Sequence, residues 1–183
     1  MHLYLATTDD PPRNVRTDLA VHLAGRHETH AVLLARTILM TMPSARIRLA
    51  HPQPAYEAYA AWSGAADQAT ELFARLRPGV VPEPEGQISG HLRLDAPVRP
   101  PIVETLHEKI SPTRAPQLRV SIGGLLTIVT DMDAFTSQLN LWTTAYRHAA
   151  RHWDNLPDVE ELAAGMVPSF DDTEAPALTR AAA

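Results

Sequence analysis

His148 and His152 stand four residues apart. At that spacing two imidazoles on one helix face can grip a metal ion. A working site needs at least a third ligand, and the sequence places none, so no metal site is expected. His27-Glu28-Thr29-His30 has the residue types of a zinc-protease helix but not its spacing. That motif has two residues between the glutamate and the second histidine, whereas only Thr29 intervenes here. The segment reads as a polar cluster at a helix start.

Nucleophile chemistry fares no better. Ser121-Ile122-Gly123-Gly124 lacks the Gly-x-Ser-x-Gly elbow between strand and helix; its glycines suit a turn between two strands. Neither a Gly-x-x-x-x-Gly-Lys nor a Gly-x-Gly-x-x-Gly phosphate loop occurs. Asp131 and Asp133 form a carboxylate pair where helix capping explains them. The chain has no cysteine, which removes thiolate nucleophiles, thiolate zinc sites, iron–sulfur ligation and disulfides. No catalytic residue and no cofactor is assigned.

Two basic clusters remain. Arg147, His148, Arg151 and His152 gather on one side of a long helix, the candidate face for an acidic protein partner. Arg26, His30 and Arg36 are the candidate contacts of a different function, DNA binding. There Val15–Met42 would form a helix-turn-helix. Against that reading, the second helix is too apolar for a groove-facing element, and the chain's net charge is -5. Nucleic acid is therefore not the expected partner. Lys109 is the lone lysine; such arginine richness fits GC-rich coding and argues little for phosphate binding.

The elements that must carry these residues follow from apolar spacing. His2–Thr7, Ala45–Ala50 and Gln87–Leu94 alternate as short strands. Ala31, Leu34, Ala35, Ile38, Leu39 and Met42 fall at helical spacing, predicting a helix over Thr29–Met42. A long helix is expected from Pro54 to about Arg77 and a short one over Pro100–Ile110. The β-rich runs Leu118–Ile122 and Leu125–Thr130 flank Gly123-Gly124, a pair that supplies the positive φ of a primed hairpin turn. Asp131 or Asp133 caps the next helix, whose stripe Phe135, Leu139, Trp142, Tyr146 and Trp153 should anchor the core. Pro157 opens a last short helix.

The expected fold is therefore α+β: a mixed sheet of about five short strands, including the Gly-Gly hairpin, packed with about six helices. Arg46–Ala50 leading into Tyr56…Trp62 echoes Leu125–Thr130 leading into Phe135…Trp142, a candidate duplication. Residues 1–166 are expected to form one domain, with 78–86 as a linker candidate, and 167–183 a flexible tail. From Asp154 onward seven acidic residues face one arginine, leaving the preceding 153 residues near +1. The tail is expected to fold back over Arg147 and Arg151. At 183 residues, 45% hydrophobic and 20% charged, the chain can bury a core without staples. Its start lacks the basic and apolar regions of a secretory signal, so the expected location is cytoplasmic. The leading functional expectation is a non-catalytic regulatory or protein-interaction module that binds a protein partner or itself. The others are a DNA-binding regulator and an enzyme whose site is assembled from distant residues.

Overall fold

The computed structural model describes residues 17–74, 90–95, 98–106, 116–153, 156–168 and 170. In chain order the strands are β1 (Leu19–Leu23), β2 (His30–Leu34), β3 (Thr37–Met42), β4 (Ala45–Leu49), β5 (Gly90–Leu94), β6 (Ile102–Leu106), β7 (Gln117–Ile122) and β8 (Leu125–Val129). The helices are α1 (Pro52–Gly64), α2 (Ala66–Phe73), α3 (Met132–His152) and α4 (Val159–Ala163). Four strands form one sheet in the order β1-β8-β7-β6, and four form another in the order β2-β3-β4-β5.

The α+β class holds, but the single sheet of about five strands with about six helices does not. Among the described residues there are two four-stranded mixed sheets and four helices. The expected helix over Thr29–Met42 is the hairpin β2–β3, turned at Ala35-Arg36 with Ala35 at φ 53°. Its dense apolar run satisfies helical and alternating patterns equally. The β-branched Val32, Thr37, Ile38 and Thr41, together with pairing to β4, favour the strands. Ile38, Met40 and Met42 then point inward. No helix-turn-helix exists in this segment, because Leu19–Leu23 is also a strand. Ile102–Leu106 pairs with β7 where a helix was expected over Pro100–Ile110. The long helix from Pro54 divides at Ala65, which has φ -88° and ψ 0°. The predicted strand His2–Thr7 and the linker candidate 78–86 lie outside the described residues.

The two sheets have one plan. In each, three antiparallel strands lead into a helix, and a fourth strand joins the last of the three in parallel: β5 beside β4, and β1 beside β8. Residues match at a constant offset of 80 positions: the turns Pro43-Ser44 and Gly123-Gly124, strand starts Ala45 and Leu125, helix caps His51 and Asp131, and Trp62 and Trp142. The backbone bonds match too, Ala50 N to Leu94 O at 3.3 Å and Thr130 N to Leu23 O at 3.2 Å. Gly123 and Gly124 both have positive φ, 51° and 92°, as a type I′ turn requires. The sheets approach each other along β1 and β5. There Gly90 is pressed against the Leu19 side chain so closely that a Cβ would collide with it.

Helices α1 and α3 pack on each other and on both sheets. Trp62, Phe135, Trp142 and Tyr146 are almost wholly buried, each contributing about 1.5–3 kcal/mol by burial. Trp62 meets Phe135 at 5.6 Å and Tyr59 stacks on Tyr146 at 5.3 Å. The Tyr146 hydroxyl donates to Pro157 O at 2.6 Å, pinning the chain after α3. Val167 is exposed, but Pro168 is buried and Phe170 packs against Tyr56 and His51 at 5.6 and 6.4 Å.

Candidate functional site: a basic and apolar sheet face

Strand β4 alternates Ala45, Ile47 and Leu49 inward with Arg46 and Arg48 outward. Its neighbours are in register, so the outward residues form rows across the second sheet. His30, Thr41, Arg46 and His91 make one row, and Val32, Leu39, Arg48 and Arg93 the next. Neighbours within a row are about 5 Å apart, and the rows are about 7 Å apart. The rows bound a shallow depression of about 520 Å³.

This face is divided along its strands. The β4–β5 side is cationic, with Arg46, Arg48, Arg93 and His91 exposed. The β2–β3 side is apolar, with Val32, Leu34 and Leu39 exposed to 48%, 56% and 36%. Those three make up half of the large hydrophobic side chains exposed among the described residues. Arg93 is tied to Asp95, its Nε 2.9 Å from Oδ2. Among the described residues Arg46 and Arg48 meet no carboxylate. Arg48 stands directly across from Arg93, and like charges opposed across strands destabilise a sheet. Among the described residues the face thus sets two unpaired arginines and the Asp95-bound Arg93 beside exposed apolar surface.

Elsewhere the polar clusters serve the fold. Asp131 Oδ1 accepts from Ala134 N at 2.8 Å and caps α3, and its Oδ2 accepts from Gly25 N at 2.6 Å. His27 Nδ1 lies 3.2 Å from Gly25 O and its Nε2 lies 3.0 Å from Gln138 Nε2. That pattern requires the neutral tautomer with the proton on Nδ1, and burial lowers the His27 pKa accordingly. The Ser137 hydroxyl donates to Asp133 O at 2.9 Å and takes the His27 N–H at 3.4 Å. Among the described residues no side-chain base is within hydrogen-bond reach of it. Asp133 is exposed.

The residues singled out by spacing are dispersed. Arg147 and Arg151 are exposed one turn apart on α3. His148 is half-buried with Nε2 3.1 Å from Ala31 O on β2, and His152 is half-buried, edge-on to Trp153 at 4.9 Å. The histidines therefore turn toward the body and leave the arginines alone on the surface. Arg26 is exposed in the loop before β2 and Arg36 in the β2–β3 turn, while His30 lies in the first row of the sheet face. Among the described residues no three His, Asp or Glu side chains converge as metal ligands. Sequence reasoning missed Arg46, Arg48, His91 and Arg93 as a group. The signal available was alternation in Ala45–Leu49 and Gly90–Leu94, each with cationic residues on its polar phase.

Among the described residues no helix is long and apolar enough to cross a membrane. Compared with known protein families, curated proteins and solved structures, the chain matches none.

Proposed function

We propose that this chain is a non-catalytic protein-binding module whose ligand is an acidic amphipathic segment of a protein partner, received on the outer face of β2–β5. The observation that carries the reading is the adjacency of Arg46, Arg48 and Arg93 to the exposed Val32, Leu34 and Leu39. An amphipathic segment with carboxylates on one flank and aliphatic side chains on the other matches that division. Sheet faces that bind single-stranded nucleic acid stack bases on aromatic side chains. No aromatic ring other than imidazole lines this depression among the described residues, which favours protein over nucleic acid. We also propose that the two sheet-and-helix units descend from one duplicated unit, on the support of the 80-position offset.

The binding reading is tested by fluorescence anisotropy. The probe is a labelled peptide of about 15 residues, roughly four helical turns, with leucines on one face and glutamates on the other. A scrambled peptide of the same composition and an oligothymidine of equal charge are the comparisons. Binding of the amphipathic peptide, weakened at least about tenfold by Arg46→Glu with Arg48→Glu, is expected, since each lost charge pair at a partly desolvated contact costs about 1 kcal/mol or more. Equal binding of the scrambled peptide, or indifference to the double substitution, defeats the proposal. Tighter retention of the oligothymidine moves the face to nucleic acid.

A further inference from the structure

Phe170 rests on His51 and Tyr56. His51 caps α1 and lies two residues beyond Leu49, the end of β4. Strands β4 and β5 run parallel, so Arg48 and Arg93 are the outward cations nearest that same end. The next residues are Asp171, Asp172 and Glu174, followed by Leu178. With at most about 3.6 Å per residue, Glu174 lies within about 14 Å of Phe170 and Leu178 within about 29 Å. Phe170, the last described residue, thus stands at the end of the sheet where Arg48 and Arg93 lie, and the acidic residues are within reach of them. The segment's order, carboxylates first and a leucine four residues on, follows the order of the face, from cationic β4–β5 toward apolar β2–β3.

We infer that residues 171–178 are an internal competitor for this face, setting Asp171, Asp172 and Glu174 against Arg46, Arg48 and Arg93 and Leu178 toward Val32 and Leu39. The inference names the regulation of the site and rests on the binding reading above. Among the described residues the face offers three guanidiniums against one carboxylate, Asp95, whereas Arg147 and Arg151 offer two with no exposed apolar strip beside them. A partner must displace the segment before it binds. A short tether supplies an effective concentration near the millimolar range, so even a weak internal contact lowers partner affinity measurably.

The test uses the full chain, wild type and Asp171→Asn/Asp172→Asn/Glu174→Gln, at low salt. Proton–nitrogen NMR of the arginine Nε–H groups and of the β4 and β5 amides reports occupancy without any partner. Signals of Arg46 and Arg48 that move on neutralising the segment, with a difference that fades as salt shortens the screening length, are expected. So is binding of the acidic amphipathic peptide that is about two- to tenfold tighter in the variant. Unmoved Arg46 and Arg48 signals, or movement confined to Arg147 and Arg151, overturn the inference; if the peptide still binds, the binding reading stands. Signals that move while the peptide binds neither protein sustain the internal contact and defeat the binding reading.

Discussion

Asp131 is the side chain whose removal should reveal how β1 is held. Its two oxygens do different work: Oδ1 caps α3 through Ala134 N, and Oδ2 holds Gly25 N, 106 positions away in sequence. Gly25 follows β1, the strand that completes the first sheet beside β8. Replacing Asp131 by alanine removes the cap, about 1 kcal/mol, and strands the half-buried Gly25 N–H, a further 1–2 kcal/mol roughly, discounted from the fully buried case because the site is partly wet. The expected loss is about 2–3 kcal/mol. Asp131→Asn keeps the cap but offers one oxygen to two donors, so about 1–2 kcal/mol is expected. At the matching position His51 accepts a single bond from Gln53 N at 3.2 Å, and His51→Ala should cost about 0.5–1 kcal/mol. Urea unfolding followed by tryptophan fluorescence gives all three. Hydrogen exchange at Gly25 should quicken in both Asp131 variants and not in His51→Ala. A loss below about 1 kcal/mol for Asp131→Ala, or one no larger than that for His51→Ala, would refute the claim that Asp131 ties β1 to α3.

Three further outcomes are expected. Trp142→Ala should cost about 3–5 kcal/mol as a vacated large aromatic site. Trp142→Phe should cost under about 1.5 kcal/mol, because the indole Nε1–H is buried without an acceptor among the described residues and its loss offsets part of the lost volume; equal costs in chemical denaturation would contradict this. Gly124→Ala should lose about 1–2 kcal/mol, since φ is +92° and the new Cβ would sit 2.6 Å from Asp18 Oδ2; an unchanged midpoint would count against the primed turn. Stability should decline with acidification: burial lowers the pKa of His27 and of His51 below the ordinary value. The unfolded chain therefore takes up protons near pH 6.5 before the folded one does, and the stability present above that pH is lost as pH falls toward the folded values. Calorimetry between about pH 8 and 5 measures it, and His27→Gln should flatten the profile; a wild-type profile already flat over that range would refute it.

Local chemistry was legible where one residue type had one use. Gly123-Gly124 could serve only a turn with positive φ at both positions, and the helix cap was narrowed to Asp131 or Asp133 ahead of the Phe135 stripe, of which Asp131 is the one used. Ala45–Leu49 alternated cleanly, and Trp142 was placed in the core by its spacing from Phe135 and Tyr146. Legibility failed where apolar residues were too dense to show a period. In Ala31–Met42 every helical position was apolar, but so was every inward strand position, and the turn is made by Ala35 and Arg36, neither of them a customary turn residue. The error propagated to function, since a false helix produced the DNA reading and hid β2 and β3 from view. The site itself was unreadable for a different reason. Its arginines come from strands whose pairing is set by tertiary contacts 45 residues apart, Arg48 with Arg93, and no local pattern announces which strands will be neighbours.

The matched units supply a control for the site. Where the second sheet has Arg46, Arg48 and Arg93, the first sheet has Leu126, Ile128 and His22 at the corresponding pairing positions. Ile128 is 3% exposed and Leu126 half-buried, while the arginines stand exposed. The inward residues, by contrast, are apolar in both: Ala45, Ile47 and Leu49 against Leu125 and Val129, with the small polar Thr127 between them. A strand in this position, leading into a capped helix with a buried tryptophan, is therefore satisfied by aliphatic residues on its outer side. Nothing in the shared architecture calls for arginine there. The stability cost of opposing Arg48 and Arg93 is avoidable, as the first sheet demonstrates by avoiding it. The two outer sides differ in burial as well as in residue type, Ile128 being buried where Arg48 stands exposed, and the arginines so placed accord with the proposed negatively charged occupant.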